Sequence, residues 1–284
     1  VVERFPAAAR TRDRKVLLAL AAAEEAIGDA GLTAADLAGG LLGVGVGLEA
    51  ICLEDLTPFA QAPDLGGAIA GGLPAQSNGR WFQTPLDHVA GILGARYGFS
   101  TGRYTNCSAC AAGTQAIGEA WQMLRAGQAD VALAGAADSM LNPLGLGGFS
   151  LLRVLSEEND RPERACRPFD ATRQGTVLGE GAAFVVLETA DRARARGAFV
   201  YGEILGYGSS LDAFGVSDPD PWGRGAVESM RRALQSAGLA PDRVDCVNAH
   251  GTGTPKNDAV ETAAIKEALG DRAYEIPVHS VKSM

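Results

Sequence analysis

Cysteine, histidine and aromatic residues are scarce in this 284-residue sequence, and long apolar runs are missing. Five cysteines (Cys52, Cys107, Cys110, Cys166 and Cys246) are too few for a disulfide-built scaffold. With an odd count and no export signal, they read as reduced thiols. Val1–Arg14 carries four arginines and no apolar core ahead of a cleavage site, so no signal peptide is expected. The longest apolar stretch near it, Val16–Ala23, is eight residues, against the roughly 20 needed to span a membrane. Basic residues are outnumbered, 25 to 34, and the net charge of −9 removes nucleic acid as an expected partner. A 46% hydrophobic content excludes intrinsic disorder, and the missing Gly-X-Y period excludes collagen. The expectation is a soluble, cytoplasmic protein. Glycine is what the sequence has in excess: 37 residues, nearly double the usual share of about 7%. With few aromatics, that suits a large α/β enzyme with tight turns between elements.

Periodicity predicts helices over Lys15–Ala30, Thr84–Tyr97, Ala111–Ala126 and Gly225–Ser236, with a charged helical turn at Asp191–Arg196. Short apolar runs predict strands at Leu41–Val46, Tyr104–Ala109, Val131–Ala134, Ala183–Leu187, Val200–Gly208, Cys246–Ala249 and Ile276–Val281. Leu48–Arg80, rich in Gly, Pro and Ala, reads as loop with short helices. One pattern occurs twice. Ala30-Gly31-Leu32-Thr33-Ala34-Ala35-Asp36-Leu37 and Ala237-Gly238-Leu239-Ala240-Pro241-Asp242-Arg243-Val244 each follow a helix and precede a buried strand. A repeated helix–strand unit points to an internally duplicated α/β fold.

The segment Tyr104–Gly118 reads strand, sharp turn, buried helix, with Cys110 at the helix start. A thiol there faces unpaired backbone N–H groups and the positive end of the helix dipole, both of which favour the nucleophilic thiolate. Small neighbours (Ala109, Ala111, Ala112, Gly113) leave room for a bulky thioester. Two other readings stay open: a small buried residue, or, with Cys107, a C-x-x-C redox or zinc motif. Against zinc, no second Cys pair completes a site; against redox, Cys107 falls in the predicted strand. Further on, His250 sits between a strand end and Gly251, either placed for proton transfer or for hydrogen-bonding a carbonyl or simply a capping or satisfied surface histidine, and Thr252 and Thr254 offer hydroxyls beside it. Asp258 and Glu261, three apart on the next helix, read as a first-turn acidic pair that suits the helix dipole. Lys282 is either a solvated end or a charge in the site.

Together these pieces resemble the β-ketoacyl-acyl carrier protein synthases of the Cys-His-His condensing type, among them the ketosynthases of polyketide assembly. The motifs run in order along nearly the whole chain. They are Cys107-Ser-Ala-Cys110-Ala-Ala-Gly113, Ala129–Asp138, the Pro143–Phe149 loop, Arg167-Pro168-Phe169-Asp170 with Gly175 and Gly179-Glu180-Gly181, the Val247–Pro255 histidine loop, and Ser280-Val281-Lys282-Ser283. The resemblance implies the thiolase fold, a five-layered α-β-α-β-α duplication. An N-terminal half would cover residues 1–198 and the start of a truncated C-terminal half residues 199–284. It implies Cys110 as nucleophile, His250 as a neutral hydrogen-bond donor to an enolate, and Lys282 as the residue that tunes the site's electrostatics. Thr252 and Thr254 would hold the phosphopantetheine arm, and Phe149 would line the acyl pocket. It implies a homodimer whose partner is acyl carrier protein and whose substrates are malonyl and acyl thioesters, with no metal and no cofactor beyond the carrier's phosphopantetheine.

The family pattern continues past the lysine with a second histidine and a gating loop, and begins with a strand ahead of Val1. The sequence is therefore expected to be incomplete at both ends and, alone, unable to condense. A thiolase or Cys-His-Asn enzyme is disfavoured by the His-Gly-Thr-x-Thr-Pro loop. A non-catalytic partner subunit is disfavoured by the retained Cys110. The basic run Arg192, Arg194, Arg196 reads as a solvated helix face.

Overall fold

A computed structural model describes residues 13–47, 63, 64, 67, 86–215 and 217–284, with Leu144 as backbone only. The Leu48–Arg80 reading and Cys52 fall almost wholly outside these residues. The chain divides into two compact units: Val1–Leu144 with Gly179–Gly202, and Gly145–Leu178 with Glu203–Met284.

In the first unit, α1 (Arg14–Asp29) starts at Asp13, whose carboxylate accepts the Lys15 N–H at 3.1 Å. Val16, Ala19, Leu20, Ala23 and Ile27 recur at helical spacing and are buried. After the short α2 (Ala34–Leu37) comes β1 (Leu41–Gly45), every residue of which is buried. With β2 (Gly102–Asn106), β3 (Val131–Ser139) and β4 (Glu180–Glu188) it forms a sheet of order β2-β1-β3-β4. β1 runs parallel to both neighbours, and β4 is antiparallel to β3.

Alternation along the strands sorts the core into two faces. Leu42, Val44 and Leu133 pack with Val16 and Leu20 of α1 and with Val89 and Leu93 of α3 (His88–Tyr97). Leu41, Ala132 and Ala134 pack with Ala120 and Leu124 of α4 (Ala112–Arg125). This unit is thus helix, sheet, helix. The small residues of β1 let α4 come close: a Cβ on Gly45 would lie 2.5 Å from the Ala112 carbonyl carbon. Gly45→Val is expected to destabilise the protein by about 1–3 kcal/mol, read as an earlier urea transition.

The second unit holds β5 (Val247–Asn248) parallel to β6 (Val278–His279), with α7 (Arg224–Ala237) and α8 (Pro255–Leu269). All but the first two residues of α5 (Pro143–Leu151) belong to this unit, and α6 (Ala190–Ala195) belongs to the first. The repeat is visible in hydrogen bonds. Leu32 N–H reaches Ile27 O at 3.1 Å, and Leu239 N–H reaches Leu234 O at 3.0 Å. Gly31 and Gly238, both at φ 65°, close the two helices in the left-handed conformation.

Several sequence expectations need correction. Val200–Gly208 forms no strand: a strand exists through its ladder, and no described strand pairs with it. Phe199 and Tyr201, 80% and 81% exposed, stack edge-to-face at its start. Pro143–Phe149 is helical, not loop. Proline at the first position is pre-set for a helix, and each glycine costs only about 1 kcal/mol there. β6 ends at His279, so Lys282 sits in a tight 3₁₀ turn, Val281–Ser283. β2 ends at Asn106, so Cys107 lies beyond the strand. The basic run is only partly solvated: Arg192 and Arg196 both pair with Glu188, the former at 2.8 Å, and only Arg194 is mostly exposed.

Candidate active site

Cys110 stands in a 3₁₀ turn, Ala109–Ala111, between β2 and α4. Ala109 adopts φ 52° without being glycine, a conformation that costs of order 1–3 kcal/mol. The turn is closed by Ala111 N–H to Ser108 O at 3.2 Å. The Cys110 side chain is exposed at the amino end of a helix whose Ala112, Ala116 and Ala120 are buried, so the small-buried-residue reading of Cys110 does not hold. Cys107 is exposed too, which removes the argument that a strand shields it from redox chemistry. Among the described residues, no cluster of three His, Cys, Asp or Glu could hold a metal ion, and no helix is long and apolar enough to cross a membrane.

In the second unit, the parallel pair β5–β6 continues into the histidine loop through Ala249 N–H to His279 O at 2.8 Å. The loop turns on Gly251, at φ 43°, where a Cβ would lie 2.5 Å from the Ser280 Cβ. Ser280 Oγ donates to Gly251 O at 2.9 Å and accepts the Lys282 N–H at 3.2 Å, tying the loop to the turn that carries the lysine. Thr252 and Thr254 share a hydroxyl–hydroxyl hydrogen bond of 2.8 Å. Pro255 opens α8 right after them.

Two carboxylates on α8 hold this loop from below. Glu261 accepts the N–H groups of His250 and Gly251 at 2.6 and 2.8 Å. Asp258, 1% exposed, accepts the N–H groups of Gly253 and Phe169 at 3.2 and 2.8 Å and lies 3.4 Å from the Arg173 guanidinium. Arg173 also donates to Thr254 O at 3.2 Å and Pro255 O at 2.9 Å. The first-turn dipole reading of this pair was incomplete. The spacing was legible, but the loop N–H groups that these carboxylates satisfy became visible only when the chain folded back on itself. Replacing Asp258 by Ala leaves the buried Gly253 N–H and the Phe169 N–H without their acceptor and the half-buried Arg173 without its carboxylate, and the expected cost is about 1–3 kcal/mol, measured by urea denaturation.

His250 is half-buried, and burial holds its imidazole below the ordinary histidine pKa of 6.5. The Lys282 charge pushes in the same direction, while Glu261 and Asp258 oppose it. The group is therefore a neutral imidazole at pH 7, able to donate one hydrogen bond. The second unit thus brings His250, Thr252, Thr254 and Lys282 to one end of β5–β6. Phe149 lies on α5, half-buried, and Cys110 belongs to the first unit.

An exposed cysteine at the start of a helix and a braced histidine loop, both on an α/β scaffold, are the features that comparison with known proteins places in a family. A model described as "Beta-ketoacyl synthase, N-terminal domain" matches residues 3–193, and one described as "Beta-ketoacyl synthase, C-terminal domain" matches residues 201–284. The chain belongs to the β-ketoacyl synthase family, with the thiolase-like α/β fold that the sequence motifs implied. It is 39% identical over 283 residues to the 3-oxoacyl-[acyl-carrier-protein] synthase 2 of Synechocystis, covering 97% of this chain and 65% of that protein. It is 37% identical to the tetracenomycin polyketide synthase ketoacyl synthase alpha subunit of Streptomyces glaucescens, covering 98% of this chain and 66% of that one. Among solved structures, a type II polyketide ketosynthase in complex with its acyl-carrier protein superposes with a TM-score of 0.80 at 32% identity, covering 96% of this chain and 67% of that one. A β-ketoacyl synthase from Burkholderia phymatum gives the same TM-score and identity over 95% and 64%. The chain thus spans about two thirds of the length of these relatives, and 48% of that of the Coxiella burnetii synthase 2, to which it is 44% identical over 199 residues.

Proposed function

We propose that these residues serve a decarboxylative Claisen condensation in fatty-acid or polyketide synthesis, joining an acyl thioester to malonyl-acyl carrier protein. The reading rests chiefly on His250, a neutral imidazole whose loop is pinned through backbone N–H groups to Glu261. A neutral donor suits a developing enolate, because it stabilises negative charge without surrendering a proton to it.

The Cys110 thiolate attacks the acyl thioester carbonyl; the carrier thiol departs, taking a proton, and an acyl-cysteine remains. Malonyl carrier protein then loses carbon dioxide, and its enolate oxygen accepts the His250 hydrogen bond. The enolate carbon attacks the acyl-cysteine, which breaks the C–S bond, frees the Cys110 thiolate and yields the β-ketoacyl carrier protein. Burial first, and the Lys282 charge second, keep the imidazole pKa low. Thr252 and Thr254, with one hydroxyl hydrogen committed between them, keep another for the phosphopantetheine arm, and Phe149 lines the acyl pocket. No metal or resident cofactor enters this scheme. A homodimer in the cytoplasm and an acyl carrier protein partner complete the reading. The relative solved with its acyl-carrier protein supports that partner.

The test supplies acyl and malonyl carrier protein to the full-length polypeptide that carries these residues. The reading requires release of carbon dioxide and a β-ketoacyl product. Decarboxylation without any transfer of acyl groups to the protein would contradict it.

A further inference from the structure

Ala109 holds a left-handed conformation without being glycine, and such strain persists only where its surroundings over-determine it. Immediately before the turn, β2 ends at Asn106, and this side chain is fully committed. Its Oδ1 accepts both the N–H and the hydroxyl of Ser108, at 3.0 and 2.5 Å. Its Nδ2 donates to Gln115 Oε1 at 3.1 Å and to Glu119 Oε1 at 2.9 Å, both on α4. An amide has two donors and two acceptor sites, and here all four are used. The Asn106 backbone O accepts Val46 N–H at 2.9 Å, so the residue is also fixed to the chain that leaves β1.

From this geometry we infer that Asn106 is the positioning residue of the nucleophile. It spans the strand end before Cys110 and the helix after it, and so fixes the strained turn and the place of the thiol at the amino end of α4. Without the amide, Ser108 loses its acceptor and the Ala109 strain relaxes. Cys110 then loses its fixed place at the amino end of α4, from which the thiol is presented to reagent. The inference deepens the condensing-enzyme reading, since it concerns the same nucleophile, but thiol reactivity tests it without condensation.

The experiment follows alkylation of the chain by iodoacetamide, resolved by peptide mapping, with Cys246 as the internal reference thiol. Asn106→Ala is expected to slow Cys110 relative to Cys246 by about tenfold, on the scale at which small displacements reduce reactivity. Asn106→Asp turns the donor edge into a carboxylate facing Glu119 and is expected to slow it similarly. In Asn106→Asp combined with Glu119→Gln, donor and acceptor are exchanged across the same contact, and Cys110 should regain the wild-type ratio. A purely structural loss of stability would not restore one thiol's ratio selectively. A wild-type ratio in Asn106→Ala would overturn the inference, as would a double variant that folds but stays as slow as Asn106→Asp. If acyl transfer fails in the full-length wild-type polypeptide that carries these residues while these ratios behave as stated, the condensing reading falls and the role of Asn106 stands.

Discussion

Replacing Cys110 by serine is expected to reduce acyl transfer from a thioester donor by about three orders of magnitude, while the fold is kept. The two side chains are nearly the same size, and this one is exposed, so the substitution leaves no cavity and strands no buried group. What changes is the nucleophile: an alcohol stays protonated at neutral pH, whereas a cysteine supplies thiolate and is intrinsically far more nucleophilic. Loss of a covalent-catalysis member from a set that acts as a unit typically removes most of the rate. Decarboxylation needs no acyl acceptor, so Cys110→Ser should retain carbon dioxide release from malonyl carrier protein. The measurement is intact-mass acylation kinetics, with carbon dioxide release recorded in parallel, on the full-length polypeptide that carries these residues.

Replacing His250 by alanine should produce the opposite pattern. Acyl loading of Cys110 should stay within a few-fold of wild type, and decarboxylation should fall by about 10²–10³-fold, the usual cost of one donor to a developing oxyanion. The pH dependence follows from the direction of the His250 shift. Its folded pKa lies below 6.5, first through burial and then through Lys282. At pH 6.5 an ordinary histidine is half protonated, whereas this imidazole is less so, and the fall in rate should come at a lower pH than for an ordinary histidine. The same shift makes the native state bind fewer protons than the unfolded chain. Its stabilising contribution is therefore complete above 6.5, begins to fade as pH drops below that value, and is lost below the folded pKa. In Lys282→Met one of the two causes is removed, and the imidazole midpoint, followed by NMR, should move up toward 6.5.

Local chemistry made much of this legible in the sequence. Ala30–Leu37 and Ala237–Val244 were recognisable as one pattern because a left-handed glycine is needed wherever this helix closes, and both copies close through equivalent hydrogen bonds. β1 and α4 were plain from their apolar spacing. Cys110 and His250 stood out because few residue types perform nucleophilic or acid–base work and both follow strands. The roles of Asp258 and Glu261 were hidden, since a carboxylate on the first turns of a helix suits the dipole whether or not it also holds a loop. Asn106 was hidden as well: four hydrogen bonds to residues 2, 9 and 13 positions away leave no period in the sequence. Val200–Gly208 shows the reverse case, a strand pattern without a described partner strand, because β-structure is completed by residues elsewhere in the chain.

The central claim is that Cys110 is the acyl acceptor. It is tested most directly by incubating the full-length polypeptide that carries these residues with an acyl carrier protein thioester and mapping the modified peptide by mass spectrometry. The account predicts one acyl group, carried by Cys110 and released by hydroxylamine, with Cys107, Cys166 and Cys246 still available to alkylating reagent. An acyl group on another residue would contradict it, as would an unmodified Cys110 joined to Cys107 in a reversible disulfide.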